Sequence, residues 1–320
     1  MNAASVVIGV DFSPGLSRAG EWIHRYIAPD ASITLVHAYE PPPVPAFLRR
    51  LLPDDATAAR RKVEELERDL VAWREENGIP DAASVVRAEP AHLLIQRVAR
   101  EVDADLIVIG ARTESDRPWL RLGSTAERLL RAAETSVLIM HGRPQAAPRK
   151  ILVAVDDVAI TPRVLNLAGE TANRFDASIH AVHVLSNAAY SHVLSIEAAT
   201  SRTSSEAQMK VAMDMASESL RWLRELWHNT GRRDRLEVEI PHGVPATEIL
   251  AAAERIGAEL IVIGRYGIGR VVPAVLGSVV GSIAHGATCP VLVVAEDERH
   301  TEGRHRVQED SRSTRPLIAF

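Results

Sequence analysis

The chain has 320 residues, 46% of them apolar and 25% charged, with a formal net charge of −5; this is the composition of a globular protein long enough for two domains. An acidic balance argues against a nucleic-acid partner, which needs a basic face or tail. Cys289 is the single cysteine, which excludes a disulfide framework and a cysteine-based metal site, and no apolar run approaches the ~18 residues of a membrane span.

The N-terminus, MNAASVVIGVDFS, has neither a basic n-region nor a long apolar core, so the expectation is a cytoplasmic protein with no membrane association. From there the chain alternates strand-length apolar runs with helical stretches. Strands are expected at Val6–Val10, Ile33–Ala38, Ser84–Arg87, Asp105–Ile109 and Ser136–Met140. A long helix is expected over Ala56–Glu76, where Val63, Leu66, Leu70 and Trp73 recur every three or four residues. The run Glu64-Glu65-Leu66-Glu67-Arg68-Asp69 reads as the solvated face of that helix. Alternating strands and helices predict an α/β fold, a mostly parallel sheet covered on both faces.

The second half repeats the first. Val6-Val-Ile-Gly-Val-Asp11 returns as Ile151-Leu-Val-Ala-Val-Asp156, 145 residues later, and ITLVHA (33–38) returns as IHAVHV (179–184). RAEPAHLLI (87–95) matches HGVPATEIL (242–250), and ADLIVIG (104–110) matches AELIVIG (258–264). LGSTAERLLRAAETSVLIM (122–140) matches LGSVVGSIAHGATCPVLVV (276–294). The order is kept and one nine-residue insertion between 184 and 242 explains the change of offset. The chain is therefore read as two tandem Rossmann-like domains, 1–143 and 148–296, joined by a linker at Arg143-Pro-Gln-Ala-Ala-Pro148. The second long helix is expected over Glu206–His228, with Met209, Met213, Leu220, Leu223 and Leu226 on its apolar face. The polar stretch 297–320 is expected to be a disordered tail, although its last residues, Pro316-Leu-Ile-Ala-Phe320, are apolar.

Chemistry concentrates after the fourth strand of each half. In an open parallel sheet, ligands sit beyond the carboxyl ends of the strands where strand order reverses. If the first and fourth strands are neighbours, Asp156 and Gly264 face one crevice. From Gly264 the loop GRYGIGRVVPAVLGS leads to Ser278 and Val279, which open a helix. Unsatisfied N–H groups at a helix start attract phosphate, glycine removes the Cβ from their path, and Arg265 and Arg270 add positive charge. The loop is neither a Walker A motif nor a Gly-rich turn after a first strand; its pattern is G-x2-G-x9-G-S, filled by Gly264, Gly267, Gly277 and Ser278.

With Asp156 ending VAVD, AVHV184, the Gly243-Val-Pro245 turn and the final PVLVV (290–294), that loop resembles the universal stress protein family. The resemblance spans both halves and is fuller in the second. It implies two domains of the adenine nucleotide alpha hydrolase-like kind, each a five-stranded parallel sheet with helices on both faces. It also implies ATP as ligand, with Mg2+ carried in by the nucleotide and no protein cage for the metal. By position, Asp156 would contact ribose or adenine and Val184 would contact adenine through its backbone. Gly264, Arg265, Gly267, Gly277, Ser278 and Val279 would hold ribose and phosphates. The first half keeps Asp11, Gly110, Gly123 and Ser124 as a possible second site. There Thr113 replaces the middle glycine, Ala88 replaces the glycine of the G-x-P turn, and Ala38 stands for the backbone-contact valine. Arg112, Arg117 and Arg121 remain there, but Glu114 and Asp116 would repel phosphate.

Three functions stay open at this point: an ATP-binding stress-response sensor with an unknown regulatory partner, a slow ATPase or nucleotidyl-transfer enzyme, and a nucleotide-free protein-interaction module. No G-x-S-x-G elbow or HExxH motif is present, no catalytic residue is assigned, and any hydrolysis is expected to be slow for want of an arginine finger. His37 and His183 read as hydrogen-bonded structural histidines, and Trp222 and Trp227 as packing residues. The apolar strands VLIM140 and VLVV294 could pair as edges and make one chain an intramolecular pseudo-dimer, with further self-association of chains as an extension of that idea.

Overall fold

The computed structural model describes residues 3–13, 16, 18–40, 55–111, 122–142, 144, 146–156, 160–186, 205–230, 236–265 and 278–295. Its first half runs β1 (Ser5–Gly9), α1 (Ala19–Trp22, continued as a π-helical turn over Ile23–Ile27), β2 (Ser32–Ala38), α2 (Asp55–Glu76), β3 (Ala83–Arg87), α3 (Ala91–Glu101), β4 (Leu106–Gly110), α4 (Ser124–Ala132) and β5 (Ser136–Met140). The second half runs β6 (Lys150–Ala154), α5 (Thr161–Phe175), β7 (Ser178–Val182), β8 (Leu185–Ser186), α6 (Ser205–Asn229), β9 (Glu237–Glu239), β10 (His242–Gly243), α7 (Pro245–Ile256), β11 (Leu260–Gly264), α8 (Ser278–Gly286) and β12 (Val291–Val294). Observed strands lie within a residue or so of the expected ones, and the first strand of the second half stops at Ala154, two residues before Asp156. The proposed tail at 297–320 lies outside the described residues.

Ten strands form one sheet in the order β3-β2-β1-β4-β5-β12-β11-β6-β7-β9. Each half is parallel and places its first strand between its second and fourth. The halves meet where β5 pairs antiparallel with β12, Leu138 opposite Leu292. Strands such as SVVIG and LIVIG are apolar at successive positions because both faces are covered: their alternate residues enter two separate cores. Helices α1, α2, α5 and α6 cover one face, through Ile23, Leu70, Val164 and Leu223 among others. Helices α3, α4, α7 and α8 cover the other, through Leu94, Leu129, Ile249 and Ile283. Equivalent helices thus share a face, so the pseudo-twofold axis stands normal to the sheet.

Local chemistry repeats as well. The acid before each fourth strand clamps the start of the first. Asp105 Oδ2 accepts from the amides of Ala4 (2.7 Å) and Ser5 (3.1 Å), and Glu259 Oε2 accepts from Arg149 (2.5 Å). Helix α2 buries Leu66, Leu70 and Trp73 as its spacing predicts. Helix α6 departs from the expected stripe: Met213 is 63% exposed while Val211 is buried. Those two positions lie about 200° apart around a helix, so only one of them can face the sheet.

On the face carrying α1 and α5, side chains also tie the halves together. Trp22 Nε1 donates to the Ala146 carbonyl (2.8 Å), so Ala146 of the expected linker is held against the first half. Tyr26 packs edge-on to Phe175 with ring centres 5.9 Å apart, and Arg174 Nη1 donates to Ile27 O (3.3 Å). The π-helical turn lies between these contacts; such turns insert one extra residue and re-aim the side chains around it.

Candidate functional site

Strand order brings the second-half residues to one end of the sheet. Ile263 of β11 lies opposite Ala154 of β6, and Ala154 lies opposite Val182 of β7. Gly264 therefore closes β11 beside the point where β6 hands the chain to Asp156, and Val184 lies in the short link between the end of β7 and the start of β8. Helix α8 starts at Ser278 at this same end, because it returns the chain from β11 to β12, which runs parallel to β11. The site sits where β6 sends one connection to β7 and receives its other neighbour from β11, the reversal point of the sheet.

Backbone directions are fixed by the pairing. His183 N–H donates to Glu239 O (3.1 Å) and Leu185 N–H to Pro241 O (2.9 Å), both toward the β9 and β10 side. In a strand successive residues turn their N–H and C=O to opposite sides, so those of Val184 turn toward β6. The last bond from β6 is Val155 N–H to Val182 O (3.0 Å). Val184 thus presents a donor and an acceptor just past the end of β6, a pair suited to the edge of a planar heterocycle.

The glycine at 264 has a packing role of its own. A Cβ there would lie 2.7 Å from Ile160 Cγ2 and 3.5 Å from Val164 Cγ2, at the start of α5. Arg265, expected among the phosphate-holding groups, reaches toward the first half. It is 4% exposed, and its Nη2 donates to the carbonyl of Thr135 in the first half at 2.7 Å. Strand alternation explains the direction: Gly264 faces α5, so residue 265 falls on the opposite face, next to the β12–β5 seam. Asp156 is half-buried and its carbonyl accepts the Thr161 hydroxyl, which fastens the start of α5. Val279 is half-buried in the first turn of α8. Gly267, Arg270 and Gly277 lie outside the described residues, as does the Ser278 side chain.

The first half repeats this frame with different groups. Val10 N–H donates to Val36 O (2.8 Å) and Tyr39 N–H to Arg87 O (2.9 Å), so Ala38 turns its backbone toward β1 as Val184 does toward β6. A contact made through the backbone survives the change of valine to alanine. Asp11 Oδ1 accepts from Ser13 N–H (2.9 Å), closing a tight turn. Gly110 ends β4, and Gly123 N–H donates to Ala111 O (2.8 Å), so this amide serves to close the base of the loop before α4 begins at Ser124. Thr113, Glu114, Asp116 and the arginines at 112, 117 and 121 lie outside the described residues.

Sequence reasoning missed a trio of ionisable side chains beside this first crevice. Glu40 Oε1 accepts the Ala91 N–H (2.9 Å) at the start of α3. Partial burial, then the Arg128 charge, push the His92 imidazole below its ordinary range, while Glu40 acts in the opposite sense. The repeat alignment carried a signal for it, since the equivalent positions in the second half are Ser186, Thr247 and Ser282.

The two strand-end histidines hold backbone. His37 Nδ1 lies 2.7 Å from Val10 O, and His183 Nδ1 lies 3.1 Å from Val155 O, each bridging the ends of the first two strands of its half. His180 faces elsewhere, toward Glu239 (3.2 Å) and Glu237 (3.4 Å) on β9. Among the described residues no group of three acids, histidines or cysteines is arranged to hold a metal ion, and no helix is long and apolar enough to cross a membrane.

Comparison with known proteins agrees with this architecture. A family model, the Universal stress protein family, matches the chain twice, over residues 4–141 and 148–295. A universal stress protein of Mycolicibacterium smegmatis is 26% identical over 298 residues, covering 90% of this chain and 96% of its own. One of Mycobacterium tuberculosis is 26% identical over 323 residues, covering 92% and 97%. Among solved structures, a universal stress protein from Archaeoglobus fulgidus shares the fold with a TM-score of 0.63 at 18% identity, over 93% of this chain and 100% of its own. With both halves matched by the family model and each half contributing five parallel strands to the sheet, the chain belongs to the universal stress protein family.

Proposed function

We propose that the second half binds ATP, with Mg2+ carried by the nucleotide, and that the chain works as a nucleotide-dependent sensor or regulator in a stress response. What carries this reading is the pair of bonds from His183 and Leu185 toward the β9 and β10 side, which by alternation leaves the Val184 backbone groups for the β6 side, beside Asp156 and Gly264. In this reading adenine lies along Val184, Asp156 accepts from ribose or adenine, and Gly264, Gly267, Gly277, Ser278 and Val279 hold ribose and phosphates. The start of α8 supplies amide donors for an anion. Arg265 is left out of the contact set, because its guanidinium is engaged with Thr135. An occupied first crevice is the weaker proposal, since its Gly123 amide is already bonded.

Titration of the whole chain with MgATP, wild type beside Gly277→Glu and Gly123→Glu, tests the assignment. A carboxylate placed where phosphate should sit is expected to weaken binding at the affected half by about 100-fold or more, the loss of several charge-assisted bonds. Equal binding by wild type and Gly277→Glu would remove the second-half site. Steady-state hydrolysis at about 1 per second or faster would favour an enzyme over a sensor.

A further inference from the structure

We infer that Arg265 is a positioning residue that couples nucleotide in the second-half crevice to the first half of the chain, a regulation that rests on the nucleotide reading above. Three bonds meet at one end of the β5–β12 seam. Arg265 Nη2 donates to Thr135 O (2.7 Å), the residue just before β5. The Arg265 N–H donates to Val294 O (3.0 Å), the last residue of β12. Ala295 N–H, one residue on, donates to Ser136 Oγ (3.1 Å), a hydroxyl that is 5% exposed.

The pseudo-twofold axis repeats the backbone part of this arrangement and omits the side chain. At the other end of the seam Ala111 N–H donates to Met140 O (3.0 Å), as Arg265 N–H does to Val294 O. Alanine has no donor to send across to the residues equivalent to Thr135 and Ser136, which are Cys289 and Pro290. Position 111 therefore sends no side-chain donor across the seam, while the Arg265 guanidinium reaches from the strand of the more complete nucleotide motif into the other half.

Arg265 also stands between the two groups that a nucleotide in this crevice would hold. It follows Gly264, the last residue of β11, and residues 266–277 lead from it to the start of α8. A nucleotide that holds Gly264 and the α8 start fixes both ends of that connection, and with them the backbone of Arg265. A buried, charge-assisted bond in a close-packed seam has few alternative geometries, so the position of Gly264 is passed to Thr135. By linkage, a loosened seam must weaken nucleotide binding by the same factor.

The test uses the full chain, MgATP as probe, and the variants Arg265→Met and Arg265→Lys, followed by amide exchange over residues 136–139 with and without nucleotide. Wild type is expected to show exchange slowed about fivefold or more by ATP, the lower end of ordinary coupling. In Arg265→Met the slowing is expected to fall below about twofold, and Arg265→Lys should restore part of it, since one donor suffices for one carbonyl. A merely structural role would speed exchange equally in both states and leave the ATP-dependent difference intact, which would overturn the inference. So would loss of ATP binding in Arg265→Met with seam exchange unchanged, the mark of a phosphate ligand. If wild type binds ATP and β5 does not respond, the coupling alone falls; if wild type binds no ATP, the nucleotide reading falls with it.

Discussion

Replacing Gly264 with alanine separates its packing role from any role toward a ligand. The new methyl would stand 2.7 Å from Ile160 Cγ2, where carbon atoms rest about 3.5–4.0 Å apart. Ile160 must therefore retreat by roughly 1 Å. It is 4% exposed, in a core that holds Val164 and Leu165 of the helix that follows it. Overpacking of this kind costs about 1–3 kcal/mol. Ile160→Ala alone removes the opposing methyl and costs about 2–5 kcal/mol as a cavity. The double variant puts a methyl back into that cavity, so its loss should be smaller than the two single losses added together by about 1–3 kcal/mol. Urea unfolding followed by circular dichroism reads all four proteins of this cycle. Strict additivity, or a Gly264→Ala protein as stable as wild type, would refute the packing account and leave ligand approach as the reason for glycine.

Two further outcomes can be checked by titration. Arg128→Gln removes one of the two causes that hold His92 down, so the His92 midpoint followed by proton NMR should rise; an unchanged or lower midpoint would show that the Arg128 charge does not reach it. Burial pushes the Cys289 thiol up to about 12 from 9.0. The folded state then holds a proton that the unfolded state releases first, so this group's contribution to stability is complete below pH 9 and is lost as pH rises toward about 12. Cys289→Ala should flatten that part of the stability curve, and iodoacetamide at pH 8.5 should label the folded chain far more slowly than the urea-unfolded one. Equal labelling rates would show an accessible thiolate.

What the sequence revealed was what it wrote twice or wrote locally. The strands were legible because a strand covered on both faces must be apolar at nearly every position, as in LIVIG, and because each run recurs in the other half. The neighbouring of first and fourth strands stood in the sequence only as a condition, which the pairing of β6 with β11 meets, placing Asp156 and Gly264 at one end of the sheet. His37 and His183 were legible as backbone holders from their matched places at strand ends. The direction of Arg265 was not legible, because its acceptor lies 130 residues away in the other half. Residues near in sequence suggested phosphate, while the carbonyl that Nη2 reaches in space belongs to Thr135. The π-helical turn at Ile23–Ile27 and the small β8–β10 pairing escaped for a related reason, since each answers to packing by distant elements and leaves no periodic mark. The Glu40, His92 and Arg128 trio draws on three separate elements, which a reading along the chain does not bring together.

The antiparallel seam has a geometric consequence for how the halves can change over time. All strands of the first half run with β5 and all those of the second run with β12, so the two carboxyl edges, and the two crevices above them, lie at opposite ends of a single slab. In a dimer of identical subunits any substitution in one crevice appears in both. Here one end can be rewritten while the other is left alone, as the ionisable trio at 40, 92 and 128 against three hydroxyl residues at 186, 247 and 282 already illustrates. Joining the copies in one chain also makes their pairing independent of dilution, so the two ends keep a fixed one-to-one ratio at any abundance of the protein.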